Sequence, residues 1–257
     1  MALQPCRMSL LRSRQGARVF LPCARSYATT KTAAETPESF KISESPESKT
    51  SAPRWSQTPA GMKAPLQMDF AKNPKNKVWA VNNDPARLDQ MYERLLGQGG
   101  SKLLPDELKW LAVTHKSFDQ GRRGFNDRLA MVGRMALDIE AVKDIVSKPA
   151  DPRAQQEDEF DRQPFEHPKL APVDNLSLVD ARDTVGKEKL AALARSVGLD
   201  STVRWKPRLV GELESSGVEV VLTGAVMAIV GAITLQHGTA VANRIIRERI
   251  MARIPKK

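Results

Sequence analysis

Residues 111–118, L-A-V-T-H-K-S-F, and residues 126–137, N-D-R-L-A-M-V-G-R-M-A-L, decide how this chain folds. In the second stretch, apolar residues recur every three or four positions, which places them on one face of an α-helix. That face consists of Leu129, Val132, Ala136 and Leu137, continued by Ile139 or Val142, with Met131 and Met135 to its side. Gly133 would let a second helix approach closely. The pattern predicts a packed helix at the centre of the fold.

The same helical spacing places Asp127, Ala130 and Arg134 together on one side of this helix. Asn126 directly precedes the helix and is of the residue type that caps a first turn. His115 lies between a helix end and a loop, where a histidine is usually a hydrogen-bonding structural residue. We therefore do not expect His115 to be catalytic.

Both stretches resemble the signature of the ribonuclease III family, in which T-H-K-S-[YF] is followed by N-E-R-L-E-F-L-G-D-A-V-L. The residues in register with that signature are Asn126, Arg128, Leu129, Gly133, Ala136 and Leu137. Residues 220–235, V-V-L-T-G-A-V-M-A-I-V-G-A-I-T-L, are similar to the family's closing motif, A-D-x-x-E-A-L-I-G-A-I-Y-L. The resemblance covers residues 85–250. It implies an all-α, ribonuclease III-like endonuclease-domain fold over residues 84–257.

The chain departs from the family at the four positions where the resemblance implies carboxylates that hold magnesium. These positions carry Ala130, Arg134, Gly224 and Met227. Magnesium requires oxygen ligands, and none of these side chains provides one. Arg134 instead places a cation where the metal would lie. We therefore expect no catalytic residues, no metal and no cofactor.

Three acids remain near these positions. Asp127 replaces a family Glu, but a single carboxylate cannot assemble a magnesium site. Asp138 and Glu140 follow the signature, and we expect both to be solvated. An active endonuclease of mitochondrial RNA processing is thus an alternative that the residues oppose.

The first 27 residues contain five arginines and no acid, interleaved with leucine, valine and phenylalanine. Such an Arg-rich, amphipathic, acid-free start is typical of a mitochondrial transit peptide. Cleavage is expected before Ala28, after R-S-Y. Both cysteines, Cys6 and Cys23, lie in this presequence, so we expect no disulfide or zinc site in the mature protein.

The whole chain of 257 residues carries a net charge of +10, which favours a polyanionic partner such as RNA. Residues 28–83 are rich in Thr, Ser, Pro, Lys and Glu, a composition predicted to stay extended or disordered when free. The candidate phosphate-binding residues are Lys63, Lys72, Lys75, Lys77, Lys116, Arg122, Arg123, Arg244, Arg247, Arg249 and Arg253. Such contacts give affinity without reading base sequence.

Other segments complete the predicted fold. Asp84 and Pro85 are expected to start a first helix, and Pro105 a second. The acidic, Pro-rich residues 149–175 are predicted to form a long surface loop, facing solvent or a basic protein neighbour. Residues 180–199 are predicted to be helical and to end at Gly198.

The last predicted helix runs from Val218 to Ile254, with an uncharged part at 220–235. That part is shorter than the ~20 apolar residues a bilayer needs. We expect a buried core helix and no membrane partner.

Within its family, the chain resembles the catalytically inactive ribonuclease III-like proteins of fungal mitochondrial large ribosomal subunits. The resemblance implies a structural, RNA-binding role in the mitochondrial matrix, with mitochondrial rRNA and other large-subunit proteins as partners. The alternative is an accessory RNA-processing factor. A heterodimer with a second ribonuclease III-like subunit is expected, through Asn126, Met131, Val132 and Met135. We expect no double-stranded-RNA-binding domain after residue 250.

Overall fold

The computed structural model describes residues 53–58, 79–154, 160, 165 and 167–254. All of them fall within one compact unit, Lys49–Lys257. The predicted presequence and most of the predicted N-terminal extension, including Lys63, Lys72, Lys75 and Lys77, lie outside the described residues. Within the described residues the secondary structure is helical, and the one isolated β-bridge pairs Thr114 with Arg204. The predicted all-α fold is confirmed.

Helix α1 spans Pro85–Leu96 and begins as predicted, since the Asp84 side chain accepts a hydrogen bond from the Ala86 amide at 2.9 Å. Leu88, Met91 and Leu95 are buried on its inner face. Helix α2 spans Asp106–Ala112 and follows Pro105, again as predicted.

The buried face of α2 includes a lysine as well as apolar residues. Leu108 and Leu111 are only partly buried, whereas Trp110 and Ala112 are fully inside. Lys109 is also buried, and its ammonium contacts the carboxylates of Asp89 and Asp106 at 2.6 Å each. The ion pair with Asp89 joins α2 to α1, and hydrophobic periodicity does not reveal such a pair.

The signature forms helix α3, Asp127–Val146, which packs against the long helix α6, Val218–His237. Two glycines lie at their crossing. A Cβ on Gly133 would lie 1.8 Å from the Met227 carbonyl oxygen, and one on Gly231 would lie 2.0 Å from the Leu129 carbonyl oxygen. The two backbones are therefore in direct contact, which confirms the close helix approach predicted from Gly133. Later residues of α3 face earlier residues of α6, so the helices are antiparallel.

The predicted helix at 180–199 is two helices. Helix α4 spans Ala181–Thr184 and helix α5 spans Lys187–Ser196. The helical conformation is interrupted at Val185 and Gly186. Gly186 directly precedes the first turn of α5 and has an extended backbone conformation. Gly198 follows α5 with a φ of 80°, which confirms the predicted glycine stop.

The last predicted helix is also divided. Helix α6 ends at His237, and helix α7 begins at Thr239 and runs to Ile245. Gly238, with φ 81° and ψ 168°, lies between them in a conformation that an L-residue rarely adopts. A π-helical segment, Ile246–Met251, continues from α7. The change of direction lets Ile246 and Ile250 join the core.

Helix α6 is long and apolar enough to cross a bilayer by length and composition, but 67% of its most apolar window is buried inside the fold. Its buried side chains include Leu222, Val226, Ile229 and Ile233. They pack into the same core as α1, α2 and α5. The prediction of a buried core helix is confirmed.

The predicted loop at 149–175 is closed at its base. The Asn175 side chain accepts from the Asp151 amide at 2.9 Å and donates to the Pro149 carbonyl at 3.1 Å. Short 3-10 turns, Pro152–Ala154 and Ala171–Ser177, flank the part that is not described. The described ends of the loop are therefore held together.

Candidate functional site

The four positions where the family carries metal-binding acids lie on α3 and α6, near the glycine crossing. Ala130 and Met227 are partly buried and pack against the core. Gly224 has open space where a Cβ would be. Arg134 is exposed, and its guanidinium lies 3.7 Å from the Asp138 carboxylate. The side chains at this crossing are apolar or cationic.

The acids nearest to these positions are each paired with a cation. Asp127 lies 3.7 Å from the Lys116 ammonium, and Asp138 pairs with Arg134. Among the described residues, no group of three or more His, Cys, Asp or Glu side chains is placed to hold a metal ion. These pairs neutralise the remaining carboxylates singly, at separate points along α3.

Glu140 was predicted to be solvated, and this prediction was wrong, because its side chain is only 2% exposed. Its carboxylate contacts the Lys143 ammonium at 2.7 Å and the Arg247 guanidinium at 3.1 Å. Both cations reach it from the surface, so the acid is buried but neutralised. The pair with Arg247 fastens α3 to the π-helical segment. Glu140 lies seven residues after Gly133, so the helical period itself places it on the buried face.

One face of α3 remains exposed and apolar. Met131, Met135 and Ile139 are 63%, 54% and 54% exposed, and their spacing of four residues aligns them along the helix. Met131 and Met135 thus lie where the predicted interface requires them, whereas Val132 is partly buried. Of the two residues predicted as alternatives to continue the buried face, Val142 packs against the core, whereas Ile139 extends the exposed face. The three side chains are named the methionine face.

Asn126 does not contribute to an exposed interface, because its side chain is only 2% exposed. The amide donates to the Ala112 carbonyl at 3.0 Å, and no side-chain cap of α3 is formed. Asn126 therefore joins the start of α3 to the end of α2. The predicted capping role was therefore wrong, and the burial of Asn126 gives no support to its predicted interface role.

The candidate phosphate-binding residues around the THKS loop differ in availability. Lys116 and Arg122 are exposed, although they pair with Asp127 and Asp119. Arg123 is mostly buried: it pairs with Asp119 and donates to the carbonyls of Arg54 and Gln57. Arg123 is therefore occupied within the chain, contrary to prediction.

The C-terminal arginines likewise separate into two groups. Arg244 is exposed. Arg247 holds Glu140, Arg249 lies against Gly97, and Arg253 donates to the Arg94 carbonyl at 2.7 Å. Three of these four arginines therefore contact other parts of the fold, although Arg247 and Arg253 are also exposed, and phosphate binding by all four stays a prediction.

His115 has the structural role that was predicted. Its Nδ1 lies 2.9 Å from the Ser117 hydroxyl, and its backbone amide donates to the Arg204 carbonyl at 2.9 Å. Burial lowers the pKa of His115, with smaller contributions from nearby charges. The histidine therefore stays neutral and supports the loop.

Arg204 was missed by sequence reasoning. It is 1% exposed, and its guanidinium lies 3.5 Å from the centre of the Trp110 ring. It donates to the carbonyls of Asn82, Trp55 and Ser56 at 3.3, 2.8 and 2.9 Å. Burial, together with the charge of Arg123, lowers the pKa of Arg204 to about 10, so it remains charged at neutral pH.

The packing of α3 on α6, which carry the two stretches that resemble the ribonuclease III signature, defines the class: a helical protein built on that signature. The Ribonuclease-III-like family model matches residues 105–254. A Neurospora crassa protein named large ribosomal subunit protein mL57 is 48% identical over 205 residues, or 79% of this chain and 76% of that protein. This chain belongs to the ribonuclease-III-like family.

Two solved structures of the nuclease domain of ribonuclease III from Campylobacter jejuni are also similar in part. One, at 2.2 Å resolution, is 22% identical and covers 68% of this chain and 99% of its own, with a TM-score of 0.44. The other, which concerns flexibility in a region of dimer formation, is 25% identical and covers 65% and 99%, with the same TM-score.

Proposed function

We propose that this chain is a structural constituent of the mitochondrial large ribosomal subunit. The identity of 48% with a protein named as a large ribosomal subunit protein carries the proposal. The Arg-rich, acid-free residues 1–27 support a location in the mitochondrial matrix.

Mass spectrometry of the mature protein is expected to find its N-terminus near Ala28.

The proposed role excludes nuclease chemistry. Phosphodiester hydrolysis in this family would require carboxylates that hold magnesium and activate water. The corresponding positions carry Ala130, Arg134, Gly224 and Met227, and the exposed guanidinium of Arg134 would repel a divalent cation. The protein is therefore a pseudoenzyme that contributes its surface and not a reaction.

Contact with rRNA is proposed through side chains that reach phosphates from the surface. Lys116, Arg122 and Arg244 are exposed and suit this role. Lys63, Lys72, Lys75 and Lys77 stay proposed phosphate ligands on sequence grounds alone. Phosphate contacts of this kind give affinity that falls with salt.

A second ribonuclease III-like subunit is proposed as the protein partner on the methionine face. Methionine side chains are flexible and can adapt to a partner's surface. Three aligned, exposed apolar side chains form a contiguous apolar patch, and such patches commonly mark sites of protein–protein contact. A symmetric homodimer would bring two copies of the same surface, with Arg134 on each, around one axis. A heterodimer avoids that repetition of positive charge.

The enzymatic alternative is tested by incubating the purified protein with double-stranded RNA and either magnesium or manganese. The RNA is expected to stay intact. Metal-dependent products with two-nucleotide overhangs, lost on Asp127→Asn, would show that the protein is an endonuclease. Retention on large subunits through a high-salt gradient tests the ribosomal half of the proposal and separates it from an accessory processing factor.

A further inference from the structure

A groove lies between residues 53–58 and the part of the fold that joins α2 to α3. Its volume is about 330 Å³. Most of its lining is aromatic or apolar side chains and arginines, among them Trp55, Trp110, Leu111, Arg54, Arg122 and Arg204. None of these residues belongs to the four degenerate acid positions or to the methionine face.

Two arginines fix residues 53–58 as one wall of the groove. Arg204 donates to the carbonyls of Trp55 and Ser56, and Arg123 donates to those of Arg54 and Gln57. Four successive carbonyls are thus held by two guanidinium groups. The segment is a docked part of the fold, which here is called the strap.

The floor of the groove is formed by the Arg204 guanidinium stacked on the Trp110 ring. The Arg204 guanidinium lies on the Trp110 face and, among the described residues, has no carboxylate in ion-pair contact. Carbonyl oxygens and aromatic rings compensate its charge only partly. Because Arg204 is already fully engaged, its part is to position the strap and to keep the floor positive.

The open side of the groove offers contacts to a ligand. Arg54 and Arg122 are exposed, and Trp55 is half-buried. The opposing charges are the exposed Glu107, which lines the groove, and Asp119, which pairs with Arg122 and Arg123. Arginine groups therefore outnumber carboxylates around an apolar wall.

We propose that this groove binds one unpaired nucleotide of RNA, with the base against Trp55 and its phosphate between Arg54 and Arg122. The inference rests on the proposed rRNA-binding function and names a site for it. Unpaired bases are commonly recognised by stacking on aromatic rings and arginine planes. The volume lies within the range of small-ligand sites. A paired base, stacked inside a duplex, cannot enter.

An acidic peptide would satisfy the arginines but would leave the Trp55 and Leu111 surfaces without a planar partner. Arginine is also the cation that combines phosphate recognition with stacking on flat rings. The combination therefore favours a nucleotide, and a polyglutamate peptide serves as the competitor that tests this choice.

The test measures binding of fluorescein-labelled single-stranded U10 RNA to the full chain by fluorescence anisotropy. Trp55→Ala is expected to raise the Kd roughly 5- to 100-fold, the effect of losing one base–aromatic stack. Trp55→Phe keeps a ring and is expected to restore most of the affinity. Arg54→Ala is expected to weaken binding and to reduce its salt dependence by about one phosphate contact.

Arg182→Ala provides the matched control, because Arg182 is an exposed arginine on α4 and does not line the groove. Its Kd is expected to equal that of the wild type. Wild-type affinity of Trp55→Ala, no binding of U10, or displacement of U10 by a ten-base-pair duplex or polyglutamate as effectively as by U10 would overturn the site. Such a result, with the chain still retained on salt-washed large subunits, would leave the ribosomal role intact.

Discussion

Gly133 and Gly231 set the distance between the two central helices. Each faces the backbone of the other helix so closely that a single methyl group would overlap a carbonyl oxygen. Gly224 lies on the same helix as Gly231, but a Cβ added there would have no atom within 4 Å apart from the neighbouring backbone of its own helix. Two glycines of α6 thus differ completely in what they do, and this difference predicts opposite effects of the same substitution.

Gly231→Ala is expected to lower the free energy of unfolding by about 3 kcal/mol, because the helices must separate to admit the methyl group. Gly224→Ala is expected to raise it by about 0.5–1 kcal/mol, the gain in helix propensity. Urea unfolding monitored by circular dichroism measures both. Equal effects of the two substitutions would show that α3 and α6 do not meet at this crossing.

Arg204 holds the strap, and its conservative replacement tests that role. Lysine cannot donate to two carbonyls while lying flat on Trp110. Arg204→Lys is expected to speed trypsin cleavage after Arg54 at least about tenfold, since charge-assisted hydrogen bonds are each worth about 1.5–3 kcal/mol. Mass spectrometry of the cleavage products gives the rate.

Arg122→Lys is the control for Arg204→Lys, because Arg122 makes its observed contacts with Asp119. It is expected to leave the cleavage rate unchanged. An unchanged rate in Arg204→Lys as well would mean that the strap is held by other contacts.

Residue by residue, the sequence predicted contacts that depend on the nearest neighbours along the chain. The Asp84 cap and the Gly198 stop are local, and both were predicted correctly. Arg204 reaches carbonyls 122, 148 and 149 residues away, so its partners could not be deduced from its position in the chain. The Asn126 cap did not form, because the side-chain amide is directed at the Ala112 carbonyl, to which its NH2 group donates, and its oxygen accepts no amide of the first turn of α3.

At the scale of elements, α3 combines two faces with different tasks. The face with Leu129, Gly133 and Leu137 is buried against α6, and the methionine face is exposed. Periodicity predicted the first face and left Ile139 and Val142 as alternatives for its continuation, of which Val142 is the one that packs against the core. It also did not predict the breaks at Gly186 and Gly238, because the sequence on both sides of each glycine is compatible with a helix.

Met131→Asp is expected to break the proposed heterodimer, because the interface would then bury an unpaired carboxylate. The cost, about 3–5 kcal/mol, corresponds to at least a hundredfold loss of affinity. Since Met131 is 63% exposed in the single chain, the thermal stability of the variant should match that of the wild type. Sedimentation of the tagged variant with large subunits measures assembly.

Val220→Asp is the matched control, because Val220 is 58% exposed and belongs to α6, not to the methionine face on α3. It is expected to assemble normally. Crosslinking mass spectrometry of intact large subunits gives an independent result: Lys116 and Lys143 should link to a second ribonuclease III-like subunit. Normal assembly of Met131→Asp, or links from these lysines to unrelated proteins alone, would refute the heterodimer.

For the whole molecule, the fold and the catalytic chemistry of the family depend on different residues of the sequence. The packing of α3 on α6 depends on glycines and apolar residues that repeat at helical spacing, and these were recognisable in the sequence. The chemistry that the resemblance implies depends on four single positions, which in this chain carry Ala130, Arg134, Gly224 and Met227. Partners, in contrast, depend on surfaces such as the methionine face and the groove, which become visible only when the chain is folded.

We propose that the chain is a permanent, non-catalytic part of the mitochondrial large subunit. Quantitative mass spectrometry of large subunits purified through a high-salt gradient tests this by comparing the amount of this chain with that of other subunit proteins. We expect one copy per particle. A clearly substoichiometric amount, with the rest recovered in the salt-released fraction, would contradict it and favour an accessory processing factor.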